Sequence, residues 1–266
     1  MTTAKINGID LYYEIGGADA DTVLFISGSG GDLRNRPNQF DSPLAQAFHL
    51  ICYDQRGLGQ TTNPQGPFTM ADYADDAAGL LDHLQIDRIA VVGVSFGGMV
   101  GQEFALRHPD RVSALVLACT SCGGAGGASY PLHEIEQLPA EERAVTHLKV
   151  ADTRHTDAWI EANPQKWAKR VALSTGARRG DRDNSGAMKQ LEARSDHDTF
   201  NRLHQIQVPT LLAGGEFDGV APPENMRAIQ AQIAGAELEF FQGGHMFLAQ
   251  DKQAYPYIIQ WLMNNM

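Results

Sequence analysis

The chain has few cysteines and comparatively few basic residues, and each shortage excludes a class of protein. Three cysteines among 266 residues cannot all pair, so a disulfide framework is not expected. The 21 Lys and Arg residues are outnumbered by 32 Asp and Glu residues, which gives a formal net charge of -11. Nucleic acids and anionic membranes bind basic surfaces, so we expect neither as a partner.

Long apolar runs are missing as well. No window approaches the length of a membrane span, and Met1 to Gly17 lacks the charged and apolar regions of a secretion signal. Two of the three cysteines lie in or beside apolar runs that are typical of buried strands. Together these features predict a cytoplasmic protein. The oligomeric state stays open, a homo-oligomer included.

The apolar residues that are present form short runs separated by helix-length segments, within an ordinary globular composition of 43% hydrophobic and 20% charged residues. The Asn7-Gly8 pair predicts an initial hairpin. Strand-like runs follow at Thr22–Ser27, His49–Tyr53, Ile89–Val94, Val112–Thr120, Pro209–Ala213 and Glu237–Phe241. Helical patterns lie between them, over Met70–Gln85, Gly97–His108 and Pro222–Ile233. The alternation predicts the α/β class with a mostly parallel sheet.

The alternation stops between residues 122 and 203, where no strand-like run occurs. This pattern predicts a helical insertion, or cap, over 122–203 and a core made of 1–121 and 204–266. The insertion carries as many basic as acidic side chains, so the acidic excess lies in the core. Its arginines are interpreted either as a solvated surface or as ligands for an anionic substrate.

The segment Gly93-Val-Ser95-Phe-Gly97 follows a predicted strand and opens a predicted helix. A serine on such a tight strand-to-helix turn projects its hydroxyl above the sheet edge, and the flanking glycines prevent clashes. The start of the following helix favours developing negative charge at the same point. We therefore predict that Ser95 is a nucleophile.

A serine needs a base and a carboxylate that orients the base. His245 lies in a glycine-rich loop directly after the last predicted strand, where ligands bind in open α/β sheets. Asp218 follows the preceding strand and gives the chain order Ser, Asp, His, with Glu216 as the alternative acid. We predict Ser95, His245 and Asp218 as the catalytic residues.

An oxyanion formed at Ser95 needs N–H donors. Phe96, which follows the nucleophile, supplies one backbone N–H, and the glycine-rich loop after Phe25–Ser27 supplies another, for which we choose Ser29. The cycle needs no metal or organic cofactor. The Cys-x-x-Cys of Cys119 and Cys122 lacks a second pair of ligands, so no metal site is expected there.

These motifs together resemble the α/β-hydrolase superfamily over essentially the whole chain. The elbow at Ser95, the Asp54-Gln-Arg-Gly-Leu-Gly59 segment, the Gly215-Glu-Phe-Asp218 turn and Gly244-His245 occur in the expected order. The resemblance implies an eight-stranded sheet with a cap after strand 6, and it implies that Asp54–Gly59 is structural. One departure is Ser27-Gly28, where the family usually has His-Gly before the oxyanion loop.

The resemblance implies hydrolysis of a small carboxylic ester or lactone, most like the enol-lactonases and carboxylesterases. Epoxide hydrolases and haloalkane dehalogenases of this fold carry aspartate at the elbow, and Ser95 argues against both. A C–C bond hydrolase of the meta-cleavage type and a ligand-sensing receptor remain alternatives. Arg34 and Trp159 are the predicted substrate contacts, with exposed loop charge and cap core as the competing interpretations.

Overall fold

The chain forms one eight-stranded sheet in the computed structural model, which describes residues 2–176 and 184–266. Its strands are β1 (Thr3–Ile6), β2 (Ile9–Gly17), β3 (Thr22–Ile26), β4 (His49–Tyr53), β5 (Ile89–Val94), β6 (Val112–Ala118), β7 (Thr210–Gly215) and β8 (Glu237–Phe241). Their order is β1-β2-β4-β3-β5-β6-β7-β8. Strand β2 pairs antiparallel with β1 and β4, and the other pairs are parallel. The predicted fold class is confirmed.

The first two strands form the predicted hairpin. Ile6 pairs with Ile9 across a two-residue turn in which Asn7 has φ 47° and Gly8 has φ 81°. A turn with positive φ at both central residues matches the twist of the strands it joins, and Asn-Gly tolerates that backbone best.

Helices cover both faces of the sheet. They are α1 (Pro43–Ala47), α2 (Met70–His83), α3 (Phe96–Arg107), α4 (Leu132–Ile135), α5 (Ala140–Ala151), α6 (Asp157–Ala162), α7 (Pro164–Gly176), α8 (Ser185–Ser195), α9 (Pro223–Gln232), α10 (Phe247–Gln250) and α11 (Ala254–Asn265). In β3, Val23 and Phe25 pack with α1 and α11, whereas Leu24 and Ile26 pack with α2 and α3. This alternation explains why the central strands read as continuous apolar runs. None of the helices within the described ranges is long and apolar enough to cross a membrane.

The described part of the chain between β6 and β7 contains helices and loops and no strand. Helices α4 to α8 lie there, and residues 177–183 of the predicted insertion fall outside the described residues. The division into a core and a cap at 122 and 203 stays a prediction.

Two predicted elements end two residues earlier than expected, and the backbone gives the reason. Strand β6 stops at Ala118 because Cys119 has φ 41°, and α2 stops at His83 shortly before Gln85, which has φ 58°. A residue with positive φ interrupts both extended and helical backbone. Neither Cys nor Gln favours positive φ, so the sequence does not predict these two positions.

His197 is a buried histidine between α8 and β7. It is 6% exposed, and its Nε2 has no hydrogen-bond partner among the described residues. Burial lowers the pKa of His197 to about 4, and the positive charge of Arg202 acts in the same direction. The native protein therefore holds this ring neutral.

This burial predicts a specific acid sensitivity. Below about pH 6.5 the unfolded chain binds a proton that native His197 does not bind until about pH 4. The free energy of unfolding should therefore fall over this range, by up to about 3 kcal/mol from this group. Urea unfolding of wild type and His197→Asn between pH 7 and 4.5 measures the effect.

The variant should lose part of the pH dependence seen in wild type. His204→Asn is the matched control, because His204 is exposed and close in the chain. Equal pH slopes for wild type and His197→Asn would contradict the assignment.

Candidate active site

Ser95 lies on a strained turn between β5 and α3. Its backbone has φ 55° and ψ -116°, a conformation that costs energy for any residue with a side chain. Two bonds to the end of β6 and the residues just after it hold Ser95: its N–H donates to the carbonyl O of Ala118, and Thr120 Oγ1 donates to the carbonyl O of Ser95, each at 2.8 Å. The turn is therefore fixed from both sides of the serine.

The glycines around Ser95 are required by close backbone approach. A Cβ at Gly97 would collide with the carbonyl O of Ile26, and one at Gly93 would collide with the carbonyl O of Gly97. A Cβ at Gly28 would lie 3.4 Å from Ser95 Cβ, so the loop after β3 runs beside the serine. The spacing that singled out Ser95 in the sequence has this steric cause.

The structure brings Ser95, His245 and Asp218 together in one hydrogen-bonded line. His245 lies between β8 and α10, and its Nε2 is 2.9 Å from Ser95 Oγ. Its Nδ1 is 2.7 Å from Asp218 Oδ2. The three loops involved follow β5, β7 and β8, whose carboxyl ends meet at one edge of the sheet.

Asp218, and not Glu216, is the carboxylate that reaches the histidine. Asp218 is 3% exposed, and its second oxygen, Oδ1, accepts bonds from the N–H groups of Val220 at 2.7 Å and Ala221 at 3.0 Å. Glu216 is exposed and accepts a bond from Gln242 instead. The alternative acid is therefore not needed.

The two predicted oxyanion donors belong to residues next to the serine or to a loop beside it. Phe96 is the first residue of α3, so its N–H has no partner within the helix. Ser29 follows Gly28, which lies against Ser95. Within the part of the chain that the structure describes, neither N–H donates a hydrogen bond, so both are available to a ligand.

The Asp54–Gly59 segment supports the loop that carries Ser29. Asp54 Oδ1 accepts a bond from the N–H of Leu33 at 2.7 Å, and Gln55 Nε2 donates to the carbonyl O of Ser27 at 2.7 Å. Arg56 is buried in an ion pair with Asp76. Asp54 and Gln55 therefore hold the loop after β3 on both sides of Ser29.

Arg34 is paired within its own loop. Its Nε and Nη2 donate to the two oxygens of Asp32 at 2.9 and 2.7 Å, and Nη2 also reaches the carbonyl O of Gly59. The side chain is 49% exposed. A substrate contact through Arg34 stays a prediction, and this pairing does not favour it.

Trp159 packs within the helical insertion. It lies on α6, its ring centroid is 5.0 Å from that of His155, and the guanidinium of Arg170 lies over it at 5.3 Å. Trp167 contacts the same histidine ring at 5.5 Å. Its predicted contact with substrate stays a prediction, and these contacts fit the competing interpretation of a local cap core.

Cys119 lies close to His245 and Asp218, a proximity that the sequence did not predict. Ligand atoms of Cys119, Asp218 and His245 lie within 4.8 Å of one another, a set that suits a thiophilic cation. Metal binding needs the thiolate, and burial raises the pKa of the Cys119 thiol well above its usual range. Asp218 and His245 are also already bonded to each other, so both features oppose a metal here. All three cysteines are buried, and none forms a disulfide with another described residue.

Two buried residues of α8, Gln190 and Arg194, also approach this region and were not singled out from the sequence. Gln190 Oε1 accepts a bond from the N–H of Gly30, next to Ser29. Arg194 is buried near enough to Asp218 to feel its charge. Their partners are distant in the chain, so no local pattern identifies them.

Comparison with known proteins identifies a matching family and several similar proteins. A sequence profile described as the alpha/beta hydrolase fold matches residues 21–252. 3-Oxoadipate enol-lactonase 2 of Acinetobacter baylyi is 28% identical over 253 residues, covering 95% of this chain and 92% of that protein. The poly(3-hydroxyalkanoate) depolymerase of Ectopseudomonas oleovorans is 28% identical over 90% of this chain and 83% of its own.

A solved structure agrees over the whole chain. The crystal structure of the enol-lactonase from Burkholderia xenovorans has a TM-score of 0.76 and 25% sequence identity. The match covers 98% of this chain and 100% of that one.

The steric account of the turn at Ser95 predicts that alanine substitutions at two glycines of α3 have different effects on the free energy of unfolding. Gly97→Ala should lower the free energy of unfolding by about 2–3 kcal/mol, because its Cβ must displace the β3 backbone. Gly101→Ala should leave it unchanged or raise it by about 0.5–1 kcal/mol, since helix propensity improves. The nearest atom to a Cβ at Gly101 is Leu117 Cδ2 at 3.4 Å. Thermal and urea unfolding of both variants measure the difference, and equal losses would contradict the account.

Proposed function

This chain is a hydrolase of the α/β-hydrolase family that acts on ester bonds, and from that premise we propose that it cleaves a small-molecule carboxylic ester or lactone through an acyl-enzyme on Ser95. The observation that carries the proposal is the line of bonds from Ser95 Oγ through His245 to buried Asp218, at 2.9 and 2.7 Å. Acyl transfer to a serine needs that arrangement of nucleophile, base and orienting carboxylate.

Proton transfer follows from these bonds. His245 Nε2 accepts the Ser95 hydroxyl proton as Oγ attacks the carbonyl carbon, and it later returns a proton to the leaving oxygen. Asp218 Oδ2 accepts the Nδ1–H of His245 and so fixes the tautomer that leaves Nε2 free to act as a base. Two backbone N–H groups donate to Oδ1, which holds the carboxylate in the orientation that faces His245.

The negative charge of the tetrahedral intermediate is stabilised by the backbone N–H groups of Phe96 and Ser29. Donors fixed by a helix start and a braced loop need no reorganisation as charge develops. His245 then activates a water molecule that releases the acid. The proposed cycle uses no group beyond these residues and water.

An ester or lactone is the substrate class that the relatives' names support. Two of the relatives are named as enol-lactonases, and the serine at the elbow suits acyl transfer from either a linear ester or a ring. A lactone opens without a separate leaving alcohol, so the same residues serve both substrates.

The proposal predicts a clear order of effects in kcat/KM. On p-nitrophenyl esters and a panel of lactones, Ser95→Ala should lower kcat/KM most, by about 1,000,000-fold. Asp218→Asn should lower it by about 10,000-fold, as in serine proteases, because it favours the wrong histidine tautomer. The measurement is initial rates at equal enzyme concentration, with circular dichroism to confirm folding.

Glu216→Gln is the matched control. It removes a neighbouring carboxylate that does not contact His245, so it should retain the wild-type rate. Equal activity of wild type and Ser95→Ala would contradict the proposal, as would a larger loss in Glu216→Gln than in Asp218→Asn. Cleavage of a C–C bond with no ester or lactone turnover would also contradict it.

A further inference from the structure

Two buried side chains on α8 keep nitrogen atoms without a partner. Gln190 is 0% exposed and its Nε2 bonds nothing, and Arg194 is 6% exposed with both Nε and Nη2 unbonded, within the ranges that the structure describes. Each has one anchoring bond: Gln190 Oε1 accepts from Gly30 N–H, and Arg194 Nη1 donates to the carbonyl O of Tyr130, both at 2.9 Å. The anchors fix the side chains, and three donor nitrogens remain.

An unpaired buried guanidinium is costly. Burying a charge without a counter-charge destabilises the folded state, which is why buried arginines are ordinarily paired. Burial lowers the pKa of Arg194 to about 10, which leaves the side chain cationic at neutral pH. Asp218 does not neutralise it by a bond, since its carboxylate is hydrogen-bonded to His245, Val220 and Ala221. An anionic ligand would supply the missing partner.

The anchoring bonds place these two side chains beside segments that contact the catalytic loops. Gln190 binds the loop after β3, whose Gly28 lies against Ser95. Arg194 binds Tyr130, and the N–H of Tyr130 in turn donates to the carbonyl O of Val220 at 2.8 Å, beside Asp218. The two side chains are four residues apart and so share one helix face. That face bridges the two loops that flank the serine.

The unbonded edge of Arg194 has the shape of a carboxylate site. Nε and Nη2 form the side-on edge of a guanidinium, which donates two parallel bonds to one carboxylate. Elsewhere in this chain the same edge holds a carboxylate at 2.7–3.0 Å in four pairs, namely Arg34 with Asp32, Arg56 with Asp76, Arg107 with Asp75 and Arg154 with Asp152. Arg194 differs from these four arginines because its side-on edge is unbonded, and the residue is buried.

We infer that Arg194 and Gln190 form a carboxylate subsite, and that the substrate of the proposed serine hydrolase carries a carboxylate besides its ester or lactone group. The inference rests on the proposed function for the reaction itself. Arg194 donates two bonds to the carboxylate from Nε and Nη2, and Gln190 Nε2 donates a third. The anion anchors one end of the substrate while the scissile carbonyl reaches Ser95.

Matched substrates test the subsite. Mono-p-nitrophenyl esters of glutaric, adipic and pimelic acid are compared with analogues in which the free carboxyl is a primary amide, so that only the charge differs. Wild type should cleave the acid of at least one chain length with kcat/KM about tenfold or more above its amide. Arg194→Met should lower kcat/KM on that acid by about 100-fold and change the amide little.

Two further variants separate a specific contact from general charge. Lys189→Met removes one positive charge from the same helix, where Lys189 binds Asn63 and Pro64, and it should keep the wild-type preference for the acid. Arg194→Lys retains the charge without the side-on edge and should restore only part of the preference.

A binding measurement keeps the test decisive if Arg194→Met does not fold. Glutarate, adipate or pimelate should raise the Tm of Ser95→Ala protein, and the corresponding diamides should not. Equal cleavage of acids and amides by wild type at every chain length, or equal losses on both in Arg194→Met, would overturn the subsite. So would the absence of any Tm shift with all three dicarboxylates. Ser95-dependent turnover of the amides would then still support the proposed function, whereas full activity in Ser95→Ala would overturn the proposed function itself.

Discussion

The left-handed backbone of Ser95 is the constraint on which the rest of the site depends. The conformation persists because Ala118 and Thr120 bond the two sides of the residue and because the flanking glycines let β3 and α3 approach closely. Its consequence is chemical. The hydroxyl projects to within 2.9 Å of His245, and α3 begins at the next residue, which leaves the Phe96 N–H free at the same point.

The chain between β6 and β7 supports the site. The carbonyl O of Ala151, at the end of α5, accepts the N–H of His245, and the carbonyl O of Val150 accepts the N–H of Gly219 at 3.0 Å. One helix end therefore binds both loops that carry the base and its carboxylate. Helix α8 adds Gln190 and Arg194, so the position of the base and the proposed choice of substrate both depend on the chain between β6 and β7.

The core was predictable because its signals are local. Continuous apolar runs mark strands buried on both faces, and Gly93, Ser95 and Gly97 record a steric requirement within five residues. The choice of Asp218 over Glu216 also rests on local order along the chain. The structure adds the reason, since Asp218 is buried against His245 and Glu216 is exposed.

The sequence could not show which arginines are paired within the protein and which are left without a partner. Arg34 was chosen because it follows the oxyanion loop, but Asp32, two residues earlier, already pairs with it. Arg194 looks like any other charge on a polar helix. Its one side-chain hydrogen bond within the described ranges is to Tyr130, 64 residues away, and that of Gln190 is to Gly30, 160 residues away. Unpaired burial is a property of the tertiary structure, and no spacing in the sequence records it.

The central claim is that Ser95 forms a covalent acyl-enzyme, and trapping the serine tests it most directly. We would treat the protein with a p-nitrophenyl alkylphosphonate, which mimics the tetrahedral intermediate, and locate the added mass by peptide mass spectrometry. The account predicts that one equivalent of the phosphonyl group bonds to Ser95 Oγ as one equivalent of p-nitrophenol is released. The labelling should be much slower in His245→Ala. Labelling of another residue, or no labelling by a protein that still cleaves esters, would contradict it.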